Sequence, residues 1–308
     1  MKKIFAVLLC CVMLIGLCLP AFAATQEELP YADSAFFEYG EYTLHYREKK
    51  AAEPVGQIMM LHGFAESTYC WENLSAILVE NGYTCVLVDL PDFGYSSRET
   101  KETEKLPRDE IIHALMTELS DEPWYVAGHS MGGYVALSLA ENYPESVRNL
   151  LLYGTSGNDG VPEIATQMMS NDLLISLMGS FMEVMGRNPL MVRLLLALAI
   201  QDTEYVMHYN TDAIMAPFRI KGTGAGAIYN FTMLTLTDYE KVSQMPPILF
   251  MNGDKDKVIA DSARINLRAH LPEGSVDHVV NGGGHMFIEN MADEAARVTL
   301  QFLSGLNT

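Results

Sequence analysis

The chain has 308 residues, 49% of them hydrophobic and 19% charged, with 39 Asp and Glu against 20 Lys and Arg, giving a formal net charge of −19 at pH 7. A disordered chain would be poorer in apolar residues and richer in charge, and the glycine and proline content is ordinary, so disordered and collagen-like classes are excluded. Such acidity without a basic stripe excludes a surface for wrapping nucleic acid, while the length allows one large α/β domain or two ordinary ones.

Lys2 and Lys3 precede an uncharged apolar run from Ile4 to Leu19, which Pro20 ends, and Ala21-Phe22-Ala23 then offers a small-x-small cleavage site. This is the pattern of a secretory signal peptide over residues 1–23. The run falls short of the ~20 residues that span a bilayer, which favours cleavage and export (secreted, periplasmic or cell-surface) over a membrane anchor. Cys10, Cys11 and Cys18 leave with such a leader. Cys70 and Cys85 remain, and the pair permits one disulfide without requiring it. Cys85 lies in an apolar strand-like run, where a buried free thiol is the ordinary reading.

Phe36 to Glu48 reads as a β-hairpin turning at Gly40. Gln57–Leu61 and Tyr83–Leu90 read as apolar strands, with a helix over Glu72–Asn81 between them that repeats Leu74, Ile77 and Leu78. A helix over Arg108–Leu119, a strand over Trp124–Ala127, a helix over Gly133–Asn142 and a strand over Asn149–Tyr153 follow. Strands without polar alternation are buried on both faces, as parallel sheets with helices on each side require. The βα alternation predicts a doubly wound, mostly parallel α/β sheet.

After Gly154 the rhythm changes. Residues 155–237 carry long Met- and Leu-rich helical stretches, among them Met178–Met185 and Met191–Ile200. The βα pattern then returns with a strand over Pro247–Met251, a helix over Ala260–His270, a strand over Ser275–Val280 and a helix over Ala292–Leu303. The expected organisation is therefore a leader (1–23), a first core segment (24–154), an inserted helical lid (155–237) and a second core segment (238–308).

Three stretches carry chemistry. Gly128-His129-Ser130-Met131-Gly132 fits G-x-S-x-G between a strand and a helix, the context a nucleophile elbow demands. The small neighbours Gly128 and Gly132 permit the sharp turn, and the helix N-terminus points backbone N–H groups at a developing anion. A serine needs a base held by an acid, in the chain order Ser, acid, His for this kind of elbow. Downstream, the Pro247–Met251 strand runs into Asn252-Gly253-Asp254-Lys255-Asp256, and the Ser275–Val280 strand into Gly282-Gly283-Gly284-His285. Both loops lie at carboxyl ends of strands, where open α/β sheets place their sites. His285 is the candidate base, and Asp254 and Asp256 are both candidate acids. His113 sits in a helix and reads as packing. The His129 side chain is expected to leave the turn in another direction. Leu61-His62-Gly63-Phe64 ends the first parallel strand, where His62 and Gly63 shape a loop whose Phe64 N–H, with the Met131 N–H, suits an oxyanion hole.

Together with Asp89-Leu90-Pro91-Asp92-Phe93-Gly94-Tyr95-Ser96 and Gly284-His285-Met286-Phe287-Ile288-Glu289, these stretches resemble the α/β-hydrolase superfamily in its lid-bearing branch of esterases, lipases and haloperoxidase-like enzymes. The resemblance covers about Phe36 to Leu303. It implies Asp256, the last position of G-x-x-D, as the acid, with Asp254 its rival. Ser130 stands where dehalogenases and epoxide hydrolases of this fold place Asp, which disfavours those reactions. The implied activity is a serine hydrolase acting on a small-molecule ester through an acyl-enzyme, with C–C bond or thioester hydrolysis as the alternative. Binding-only members of the fold commonly lose part of the triad, which is intact here. Asp92 departs from the usual glycine, and the resemblance puts this extra carboxylate near the mouth of the site. No Walker loop, Rossmann fingerprint or metal-type Cys/His spacing occurs, so no cofactor or metal is expected. Of the lid residues Met168, Met169, Met178, Met182, Met185, Met191, Met207, Met215, Phe181, Leu194, Leu195 and Leu196, most are expected to fill the lid's own core. One side should wall an adaptable apolar pocket. Gly222, Gly224 and Gly226 suggest a mobile hinge. With His285 as base, activity should fall below roughly pH 6–7.

Overall fold

A computed structural model describes residues 29–99, 106–160, 171–230 and 234–306. The expected leader, Met168 and Met169 lie outside the described residues. No helix among the described residues is long and apolar enough to cross a membrane.

Eight strands form one sheet: β1 (Ser34–Tyr39), β2 (Tyr42–Lys49), β3 (Gly56–Leu61), β4 (Tyr83–Val88), β5 (Trp124–His129), β6 (Val147–Tyr153), β7 (Ile248–Gly253) and β8 (Val276–Val280). Their order is β1-β2-β4-β3-β5-β6-β7-β8. The β1–β2 hairpin and the β2–β4 pair are antiparallel, and every later pairing is parallel. Gly40 makes the hairpin turn at φ 59°, a left-handed conformation open to glycine at no steric cost.

Alternate side chains of the central strands enter two different cores, as a period of two demands. Met59, Leu61, Val126, Leu150, Leu152 and Phe250 pack on one face against α2 (Arg108–Leu119) and α3 (Met131–Asn142). Ile58, Met60, Ala127, Leu151, Tyr153 and Met251 pack on the other against α1 (Glu72–Glu80) and the C-terminal helix Ala292–Gly305. Burial on both faces explains the continuous apolar runs. β8 differs from the sequence reading. It is the sheet's last strand, and Val276 and Val279 are exposed. The helix expected over Ala260–His270 is instead a 3₁₀ turn, Asp261–Arg264, followed by a five-residue helix, Ile265–Ala269. Cys70 and Cys85 are both buried free thiols, and burial pushes Cys85 up to about 12, so neither is primed for nucleophilic chemistry.

Between β6 and β7 the described residues hold helices but no strand: α4 (Asp172–Gly186), α5 (Pro189–Ile200), α6 (Thr203–His208), α7 (Asp212–Met215), α8 (Thr223–Asn230) and α9 (Tyr239–Val242). Asn171 and Asn188 cap α4 and α5, each accepting two backbone N–H groups, and Pro189 opens α5 where its missing N–H costs nothing. Of the glycines expected to form a hinge, Gly224 and Gly226 stand at close-packed positions. A Cβ on Gly224 would collide with the Gly179 carbonyl of α4, and one on Gly226 with the Asp92 carboxylate. They let α8 pack tightly against α4 and the core, and only Gly222 uses a positive φ, 94°.

Gly224→Ala should therefore destabilise the protein by about 1–3 kcal/mol through overpacking. Gly305→Ala, with open space around the new methyl, should stay within about 0.5 kcal/mol. Denaturant midpoints decide it. A hinge glycine would instead give unchanged stability and altered turnover.

Candidate active site

Ser130 occupies the junction of β5 and α3 at φ 50°, ψ −117°. A non-glycine residue there carries strain of about 1–3 kcal/mol and persists only if its surroundings over-determine it. Ser130 N donates to Tyr153 O (2.9 Å), while Gly133 N (3.0 Å) and Thr155 Oγ1 (2.7 Å) donate to Ser130 O. The turn excludes larger neighbours. A Cβ on Gly128 would lie 2.6 Å from Gly132 O, one on Gly133 2.5 Å from Thr155 Oγ1, and one on Gly132 would collide with the Leu61 carbonyl. Met131 is the first residue of α3, so its N–H has no acceptor within the helix.

His285 follows β8 in the loop Gly282-Gly283-Gly284. Its Nδ1 donates to Asp256 Oδ2 at 2.8 Å, which leaves Nε2 as the nitrogen able to accept a proton. Asp256 is held in turn: Val258 N (2.7 Å) and Ile259 N (3.0 Å) donate to Oδ1, and Arg264, buried behind it, donates to Oδ2. Burial works against the Asp256 charge, but His285 and the two backbone bonds outweigh it and hold the carboxyl at about 2. His285 moves below the ordinary histidine value. Burial is the main cause, aided by the His129 charge and opposed by Asp256. The rival acid, Asp254, accepts the Gly282 N–H at 2.6 Å and braces the loop. The bond to His285 belongs to Asp256.

His62 is fully buried. Leu90 N donates to its Nε2 (3.0 Å), so its Nδ1 donates to Gly63 O (2.7 Å), and the ring pins the β3 loop to the β4 loop. Phe64 extends from this loop into the cavity, edge-on to Phe93 at 5.7 Å between ring centroids. The cavity, ≈ 420 Å³, holds Ser130 and His285 in its wall, with Glu66 beside them. Among the described residues, no group of His, Cys, Asp and Glu is placed to hold a metal ion.

A family model described as the alpha/beta hydrolase fold matches residues 57–291. The chain is an alpha/beta hydrolase. A 2-hydroxy-6-oxononadienedioate/2-hydroxy-6-oxononatrienedioate hydrolase of Cupriavidus pinatubonensis is 25% identical over 276 residues, 85% of this chain and 91% of that one. Lipase 3 of a Moraxella species is 25% identical over 267 residues, 81% and 78% of the two chains. Other curated relatives are matched over only 30%, 42% and 34% of their own length. A solved thermophilic esterase from Thermogutta terrifontis, with malate bound, superposes at a TM-score of 0.69 with 16% identity, covering 90% of this chain and 100% of that one. At that identity the likeness speaks for the fold alone.

Two features of this alpha/beta hydrolase escaped the sequence reading. The first is Glu66, which accepts the Gly63 N–H (2.8 Å) and bonds His129 Nδ1 (2.9 Å). A lone acid five residues beyond β3 carries no motif, and its partner lies 63 positions away. The second corrects the reading of Asp92. Its carboxylate is fully buried, at φ 75°, rather than placed at the mouth of the site. It accepts from Arg108 Nη2 (2.9 Å) and the Glu99 N–H (2.7 Å), and Arg108 Nη1 also donates to Glu99 (2.7 Å). The insertion's residues divide as well. Phe181, Met182, Met185, Leu195 and Leu196 line the cavity, and Met215 packs in the insertion's own core. Met178, Leu194 and Met207 are exposed.

Arg108→Met should strip the guanidinium from two buried carboxylates and destabilise by about 3–5 kcal/mol. Because this network stands outside the cavity wall, activity per folded molecule should survive. Equilibrium unfolding alongside active-site titration measures both.

Proposed function

We propose that the protein is an exported serine hydrolase that cleaves carboxylic esters of small-to-medium apolar substrates through Ser130, His285 and Asp256. The observation that carries this reading is one apolar cavity lined by both Ser130 and an Asp256-bonded His285. The export part rests on the leader over residues 1–23.

In this mechanism Ser130 Oγ attacks the carbonyl carbon while His285 Nε2 takes its proton. Asp256 keeps the imidazole in the Nδ1–H tautomer and stabilises the cation as it forms. The Phe64 and Met131 N–H groups receive the oxyanion, each such donor being worth about 3 kcal/mol. His285 returns the proton to the leaving alcohol. Water then attacks the acyl-enzyme, again with His285 as base. The lid supplies acyl-binding surface: Met182 and Met185 bend to fit irregular chains, beside Phe181, Leu195 and Leu196. A volume of ≈ 420 Å³ suits short and medium acyl groups. C–C bond hydrolysis is the rival, since the Cupriavidus relative matched along nearly its whole length bears a name of that chemistry.

A fluorophosphonate probe should label Ser130 and leave Ser130→Ala unlabelled. Short- and medium-chain p-nitrophenyl esters should turn over. Inert esters alongside cleavage of a 2-hydroxy-6-oxo-dienoate would install the rival. Asp256→Asn should cost several orders of magnitude in kcat, as loss of the orienting acid does, whereas Asp254→Asn should keep most activity.

The pH profile follows from the lowered His285 value. The free base is the active form, so a depressed pKa keeps it active below the ordinary histidine value of about 6.5. Activity is lost only as pH falls further. An acid limb of kcat/KM centred above pH 7 would contradict this.

A further inference from the structure

Glu66, in the cavity wall, meets His129 behind it, outside the Ser130, His285 and Asp256 set. His129 is fully buried. Its Nδ1 faces Glu66 Oε2 at 2.9 Å and its Nε2 faces the His285 backbone carbonyl oxygen at 3.0 Å. An ionised carboxylate and a carbonyl oxygen can only accept. With Glu66 ionised, both ring nitrogens carry hydrogen, which makes His129 an imidazolium. The same Glu66 oxygen also accepts the Gly63 N–H.

We propose that Glu66 and His129 are a positioning pair, a buried carboxylate and imidazolium that tie the Gly63 loop to the His285 loop and lay a fixed cation beside the His285 ring. The proposal rests on His285 being the base of the reading above. The two imidazole rings lie 4.9 Å apart between centroids. Three segments distant in sequence are thereby locked together: the loop after β3, the end of β5 and the loop after β8. The protonation states agree with this geometry. Burial opposes both charges, yet the His129 charge and its bond hold Glu66 at about 2, and Glu66 holds His129 above the ordinary histidine value.

The surroundings add few competing charges. His62 faces the pair from the β3 side, the Cys70 thiol from the turn after it, and Glu289 from the short helix Phe287–Asn290. Burial keeps His62 and Glu289 toward their neutral forms and the Cys70 thiol protonated. Asp256, backed by Arg264, faces His285 from the β7 loop. The imidazolium is therefore the cation that disfavours a second positive charge on His285, and it keeps that ring a free base to lower pH.

Histidine-selective ¹⁵N NMR on the native protein tests the charge directly. His129, assigned by comparison with His129→Gln, should show imidazolium shifts and two slowly exchanging ring protons at pH 8. A neutral His129 at pH 8 overturns the proposal. Kinetics test the consequence. In His129→Gln the acid limb of kcat/KM should move up by roughly one pH unit, because the cation beside His285 is gone. kcat/KM above that limb should fall about tenfold. In Glu66→Gln the ring gives up its extra proton, both charges vanish together, and the limb should move little. The double variant should cost about as much as His129→Gln alone, since the two residues act as one unit. Strictly additive losses, or an unmoved acid limb in His129→Gln, overturn the pairing. A purely structural role would lower stability without moving the limb. If His129→Gln does not fold, signals are assigned through the Glu66→Gln spectrum and the NMR result decides alone. Failure of the fluorophosphonate to label Ser130 in the native protein would sink the triad reading, whereas the NMR arm reads the Glu66–His129 pair without it.

Discussion

The structure depends on the left-handed turn at Ser130. A residue with a side chain sits where glycine is preferred, and the strain is contained by backbone packing on every side. Gly132 lies against the Leu61 carbonyl, Gly128 against the Gly132 carbonyl and Gly133 against Thr155. These contacts need β3, β5 and β6 side by side with α3 rising directly from β5. The central strand order and the first βα crossover are thus conditions for holding one hydroxyl in place. The β1–β2 hairpin and the edge strand β8 are freer, and β8 accordingly exposes two of its valines.

Where sequence reasoning succeeded, the cause was local. The turn at Ser130 needs small residues at fixed spacing, so it is written as a pentapeptide. The parallel strands are buried on both faces, so they read as unbroken apolar runs. It failed where the deciding contact is remote. Glu66 is an ordinary loop acid until β5 brings His129 against it. The resemblance puts Asp92 near the mouth of the site, and nothing nearby announces Arg108, whose α2 helix begins 16 positions later. Gly224 and Gly226 suggested mobility because glycine serves both hinges and close helix crossings, and only the position of Gly179 and Asp92 tells which. The Asp254 and Asp256 alternatives could not be separated by spacing either, since two positions along a loop can aim opposite ways.

Several buried carboxylates near the site and the loops around it are handled the same way. Asp256 stands between His285 and Arg264, Asp92 shares Arg108 with Glu99, Glu66 faces His129, and Asp89 bonds His45. An unpaired ion in such places would be prohibitive. The formal charge of −19 is therefore a property of the surface more than of the interior. Each internal group also joins two or more chain segments, so electrostatic satisfaction doubles as alignment of loops that a strand alone could not orient.

The order of pieces along the chain bears on biogenesis. Six strands and the serine elbow come first, the helical insertion intervenes, and the two strands whose loops carry Asp256 and His285 come last. Contacts across so long an interval close late, because the loop entropy is met before the contacts reward it. If His285 is the base, as proposed, a nascent chain that has already shaped its elbow still lacks that base until its final sixty or so residues dock against β6, and a stalled or truncated product would present a fold without the proposed reaction.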